Sequence, residues 1–213
     1  INLTQEASTV SYTYNLTIDP NSLSFVNTGE TKKITVTSTK QVIINGKPSG
    51  NPTNIGTHIE VAGVGFSYSA ISDGFNIKAE ENPGNTQRTG KITITMDEGG
   101  KSATVNLTQA AAVVTYEYTL DVDPDSLSFI AAGETKIFSV SSKKQKKVNG
   151  KISGPASAVN YTTTVTGEGF SKGDSEYSVI AANNTGSQRT GQAKVAASEG
   201  GKTITVTLTQ AGV

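Results

Sequence analysis

The chain has 213 residues, with 18 Lys and Arg against 18 Asp and Glu, one His and no Cys. Such a balance gives no field to steer it toward nucleic acid or an anionic bilayer, and the absence of thiols excludes disulfides and thiolate metal sites. Hydrophobic residues make up 34% in short runs only, which excludes membrane insertion by an apolar helix and suits thin β-sandwiches with one wetted face per sheet.

Taken in order, Ile1-Asn2-Leu3-Thr4-Gln5 repeats the pattern of Val105-Asn106-Leu107-Thr108-Gln109. Residues 1–6 therefore read as the last strand of a preceding repeat, cut from a longer array. The alternative is strand pairing in trans through Ile1 and Leu3. Val10, Tyr12, Tyr14, Leu16 and Ile18 then alternate with polar residues, the period of a half-buried strand. Asp19-Pro20 stops it, because proline has no N–H to give a ladder. Leu23 and Phe25 share one face of a short strand, Gly29-Glu30 makes a turn, and Ile34 and Val36 mark a third strand. Asn45-Gly46 is the pair favoured by type I′ turns, so residues 41–44 should fold back onto 47–49. Gly50 to Gly56 reads as a Pro/Asn/Gly loop. A strand from His58 to Val64 follows, then an inward row of Phe75, Ile77 and Ala79. From Gly90 to Ala110 the pattern is two strands joined by a turn at Asp97-Glu98-Gly99-Gly100.

Shifting the sequence by about 104 positions brings most of this back. Asp19-Pro20 meets Asp123-Pro124, Ser22-Leu23-Ser24-Phe25 meets Ser126-Leu127-Ser128-Phe129, and Asn45-Gly46-Lys47 meets Asn149-Gly150-Lys151. Such a long period signals domain duplication rather than a solenoid. Many short strands with turn signals and no helical period predict an all-β chain: two tandem Ig-like antiparallel β-sandwich domains over 7–112 and 113–213. The link Ala110-Ala111-Ala112-Val113 is short and apolar, which predicts an end-to-end rod rather than a loose tether.

The Asp-Pro-x-Ser-Leu-Ser-Phe opening, the Gly-Glu-Thr turn, the Arg-Thr-Gly step into a strand and the Leu-Thr-Gln-Ala ending together resemble BACON-type domains. These are Ig-like sandwiches of Bacteroidetes surface proteins and of the phages that infect those bacteria. The resemblance covers nearly the whole chain. It implies an extracellular place, on a cell surface or a virion, and a role in binding carbohydrate, mucin glycans in particular.

The residues themselves hold no reactive constellation, so no enzyme, cofactor or metal is expected. His58 is a lone histidine on a predicted strand. Asp121, Asp123 and Asp125 alternate at a strand end, but the first repeat has Thr17, Asp19 and Asn21 there, so they read as solvated turn residues. Ten of the thirteen aromatic residues recur in register, as Tyr12/Tyr116, Tyr14/Tyr118, Phe25/Phe129, Phe66/Phe170 and Phe75/Tyr177, which predicts core packing. Phe138 takes the place of Ile34, another core exchange. Tyr68 and Tyr161 are left as sugar-stacking candidates. Arg88 and Arg189 are placed either to grip a ligand carboxylate or to tie a loop's carbonyls to the sheet. Finally, Val42 and Ile43 stand where the second repeat has Lys146 and Lys147. That contrast predicts an apolar contact with a neighbouring subunit or repeat, against the alternative of burial on their own loop. The expected function is a non-enzymatic surface module for adhesion, with glycans or a protein scaffold as partner. A structural spacer, fibre or decoration protein is the alternative.

Overall fold

The computed structural model describes residues 1–213 and divides into two compact units, Ile1–Val113 and Val114–Val213. All regular structure is β.

In the first unit the strands are β1 (Val10–Asp19), β2 (Ser22–Phe25), β3 (Glu30–Ile44), β4 (Lys47–Asn54), β5 (Thr57–Ala62), β6 (Phe66–Ile71), β7 (Gly74–Ala79), β8 (Arg88–Met96) and β9 (Ser102–Gln109). One sheet has the order β1-β3-β7-β6, with β4 also on β3, and the other runs β2-β9-β8-β5. All pairs are antiparallel except β2 with β9. Period-two alternation puts Leu23, Phe25, Ile34, Ile77, Ile92, Ile94, Val105 and Leu107 into one core between the sheets.

The second unit repeats the plan with β10 (Val114–Asp123), β11 (Ser126–Phe129), β12 (Glu134–Ile137), β13 (Ser139–Val148), β14 (Lys151–Ile152), β15 (Ser157–Ala158), β16 (Tyr161–Thr166), β17 (Phe170–Lys172), β18 (Ser178–Ala181), β19 (Arg189–Ala197) and β20 (Thr203–Gln210). Its β11-β20-β19-β16 sheet copies that of the first unit, but the facing sheet is split at Phe138 into β10-β13-β14 with β15, and β12-β18-β17.

Three features depart from the sequence reading. The expected loop from Gly50 is strand as far as Asn54, held because the Gln41 side-chain amide donates to the carbonyls of Ser49 and Gly50 at 3.1 and 3.2 Å. Residues 1–9 form no strand, and Ile1 and Leu3 are fully exposed. The matched rings are not all core. Phe25, Phe129, Phe75 and Phe170 are buried and Tyr14, Tyr118 and Phe66 half-buried, but Tyr12 and Tyr116 are 49% and 50% exposed. The reason is strand length. β1 and β3 continue past the edge of the opposite sheet, so the inward side of their sheet runs on with nothing over it.

The Asn45-Gly46 turn is as expected. Both residues have positive φ, 46° and 76°, the requirement of a type I′ hairpin, and the Asn45 side chain accepts the Thr9 N–H at 3.0 Å.

Candidate binding surfaces

The last strand of each unit ends in a glutamine with no exposed surface. Gln109 donates through Nε2 to the carbonyls of Val26 and Glu80 at 3.1 and 2.6 Å. Gln210 does the same to Ile130 and Ala182 at 2.9 and 2.8 Å. The neighbouring arginines face this cap. Arg88 Nη1 donates to the Glu81 carbonyl at 3.2 Å. Arg189 gives Nη2 to the Ala182 carbonyl and Nε to Gln210 Oε1, both at 2.8 Å. Each guanidinium lies against a glycine, Gly65 or Gly169, and Arg189 sits 5.7 Å from the Phe170 ring centroid. The pair of arginines therefore holds loop carbonyls against the sheet.

Tyr68 is 47% exposed and meets Phe75 edge-on, with centroids 5.8 Å apart. It borders a shallow hollow with Thr31, Ser67 and Asn76. Tyr161 lies elsewhere. It is half-buried against the core of the second unit and lines a cleft of about 610 Å³ with Val140, Ser141, Asn160, Glu176 and Tyr177. A second recess of about 520 Å³, floored by Phe138 and Val140, also opens between Tyr161 and Tyr177.

A substitution in the core explains why Tyr177 is open when its counterpart Phe75 is not. Ile34 and Phe75 are opposite one another and both buried in the first unit. In the second, Phe138 fills the site of Ile34, and the ring at 177 is displaced to 46% exposure because a close-packed interior has no room for both. The cleft wall is fixed by Glu176, whose Oε2 accepts the Thr163 N–H at 2.6 Å and whose Oε1 meets Lys172 at 2.5 Å. The lysine, then the Thr163 N–H, hold this carboxyl below its ordinary value. The equivalent cleft of the first unit has Thr57 and the buried Phe75 in place of the two tyrosines. Tyr177 carries no signal in the sequence, because its exposure depends on a residue 39 positions away.

The overhanging strands form a blade in each unit. Tyr14 and Tyr118 lie on Gly99 and Gly200 of the β8–β9 and β19–β20 turns, where φ is +79° and +73° and any Cβ would run into the ring. Lys40 bridges to Glu98 at 2.6 Å and stands 4.3 Å from the Tyr12 ring centroid. Lys144 and Glu199 repeat the bridge at 2.9 Å. The side-chain hydrogen bond to its partner comes first in raising Lys144 and in lowering Glu199 from their ordinary values. Val42 and Ile43 are both half-buried on this blade but on opposite faces, across from Tyr12 and Ser11.

His58 is exposed, with Nδ1 3.6 Å from Asp97 Oδ1. Asp121, Asp123 and Asp125 are exposed as well, and no group of three His, Cys, Asp or Glu residues is arranged to hold a metal ion.

Solved structures similar to this chain include the titin domains Z1Z2 in complex with telethonin, 13% identical with a TM-score of 0.36, covering 99% of this chain and 100% of that one. The three N-terminal domains of the bacteriophage RB49 outer capsid protein Hoc are 14% identical with a TM-score of 0.25, covering 96% and 71%. Cadherin domains 1–4 of protocadherin gamma B7 are 9% identical with a TM-score of 0.33, covering 94% and 51%. No curated protein sequence matches. Residues 59–110 match the BACON family, described as "Putative binding domain, N-terminal". The matched stretch runs from within β5 to just past the end of β9, in the all-β first unit.

Proposed function

We propose that the chain is a non-enzymatic adhesion module of an extracellular surface, cellular or virion, and that its second unit takes a saccharide between Tyr161 and Tyr177. One observation carries this reading. Two tyrosines line the same cleft at positions where the sister unit has a threonine and a buried phenylalanine. A pyranose ring has an apolar C–H face that stacks on an aromatic side chain and hydroxyls that need polar partners. Ser141, Asn160 and the tyrosine hydroxyls supply those partners at the rim of an apolar floor. The BACON match, a family described as a binding domain, lies at 59–110 in the first unit and supports a binding role in general; the choice of the second unit rests on its two rings.

The test is binding of the full chain to immobilised mucin-type O-glycans by biolayer interferometry. Tyr161→Ala and Tyr177→Ala are each expected to weaken binding about tenfold, since an aromatic stacking contact contributes up to about 1.5 kcal/mol. Tyr68→Ala is expected to leave it unchanged. A chain that binds no glycan, or binds equally without both tyrosines, overturns the reading in favour of a spacer or fibre component.

A further inference from the structure

The blade of the first unit is one half of a sandwich. On its inward side Val10 stands opposite Ile44, Tyr12 opposite Val42 and Tyr14 opposite Lys40. Further along, the same side delivers Leu16, Ile18 and Val36 to the core. Cover ends at Gly99, under the Tyr14 ring. Beyond it Val10, Tyr12 and Ile44 are 55%, 49% and 37% exposed. The one lysine in the middle of this side, Lys40, is held by Glu98, and Lys47, across from Ile44, sits at the tip where it remains in water. A pleated apolar face of this kind is normally covered by another sheet face about 10 Å away.

The second unit supplies an internal control. Its blade has the same register, with Val114 opposite Val148, and Tyr116 opposite Lys146. Val42 has therefore become a lysine at the centre of the face. The difference has a definite consequence for symmetry. When two copies meet about a two-fold axis, each side chain lies near its own counterpart or its neighbours, so the patch must be complementary to itself. Valine, tyrosine and isoleucine satisfy that condition. Two copies of the second blade would bring Lys146 against Lys146 and repel. A partner of unlike sequence would need no such freedom from charge; a second copy of the chain does.

We propose that the chain forms two-fold dimers through the first unit, in which the Val10, Tyr12, Val42 and Ile44 face of one copy covers the same face of the other. The second unit stays out of the contact because of Lys146.

Sedimentation velocity of the full chain from about 1 to 200 μM tests this, at a range that spans ordinary weak dimer affinities. A reversible monomer–dimer equilibrium is expected. Val42→Lys, which installs the residue the second unit carries at the same place in the same fold, should raise the dissociation constant at least tenfold. Ile43→Lys also installs the second unit's residue, but on the opposite face, and should leave the equilibrium alone. Tyr12→Gln gives a second reading of the face should Val42→Lys lower the melting temperature. Lys146→Val should add a second contact and produce species larger than dimers. A chain monomeric throughout, or one in which Val42→Lys and Ile43→Lys act alike, overturns the proposal.

Discussion

Replacing Gln210 with leucine removes a side chain of similar size that has no contact with solvent. The wild-type amide donates to the carbonyls of Ile130, Ala131 and Ala182 at 2.9, 3.3 and 2.8 Å, and its oxygen accepts from the Arg189 guanidinium at 2.8 Å. The three carbonyls keep other donors, from Gly133, Asn184 and Arg189, so each loses about 1 kcal/mol at most. The guanidinium loses a charge-assisted bond of about 1.5–3 kcal/mol. Burying leucine in place of an amide returns about 1–2 kcal/mol. The net is about 3 kcal/mol, and a domain of about 100 residues loses roughly 4–8 °C of Tm per kcal/mol. Gln109→Leu is milder, about 1 kcal/mol or less, because only two carbonyl bonds are given up, its Oε1 has no partner to lose, and Arg88 donates to Glu81 instead. Native-state amide exchange assigned to β19 and β20, and separately to β8 and β9, reads the two units independently. A double-mutant cycle with Arg189→Met should recover a coupling of at least 1 kcal/mol. Equal losses in the two units, or no coupling between Arg189 and Gln210, would refute the argument and free the guanidinium for a ligand.

Two further outcomes follow from the blades. The second is clamped by Glu199, whose carboxyl is lowered, and Lys144, whose ammonium is raised. The carboxylate's contribution is complete above its ordinary 4.5 and is lost as the pH falls through the lowered value; the lysine's is complete below 10.5 and is lost as the pH rises past the raised one. Amide protection in β10 and the outer half of β13, taken relative to the intrinsic exchange rate at each pH, should therefore be greatest between those limits and should fall at high salt, because the pair is exposed and screened. Gly200→Ala combines a positive φ with a methyl driven into the Tyr118 ring. It should lower stability by about 2 kcal/mol and expose that ring, whereas Gly201→Ala, with φ +65° but nothing within 4 Å, should cost about 1 kcal/mol; urea titrations followed by tyrosine fluorescence compare the two.

Turn chemistry and alternation carried most of the fold. Asn45-Gly46, the Leu23 and Phe25 pair, and the Phe75, Ile77 and Ala79 row all sit where those rules place them. Alternation says which residues share a side of a strand, but not whether a second sheet covers that side. Tyr12 and Tyr116 were therefore indistinguishable from core residues, and their matching in both units reflects a shared blade. Val42 and Ile43 are a simpler case, since adjacent strand residues point to opposite faces; the lysines at 146 and 147 marked the place without separating the sides. The cleft at Tyr161 was half visible. Its second ring depends on Phe138 displacing Tyr177, a packing exchange across strands that no local pattern encodes.

The parallel pairing of β11 with β20, in register from Ser126 with Thr207 to Phe129 with Gln210, has a mechanical meaning. Tension entering from the amino side is met first by β10 on its antiparallel ladder with β13. Once that strand is drawn off it reaches the start of β11, while tension from the carboxyl side reaches the finish of β20, at the far end of the same β11–β20 ladder. The two segments are dragged lengthwise past each other, and every rung bears load together instead of opening one by one. β2 and β9 are joined in the same way, so each sandwich carries its own latch against stretching.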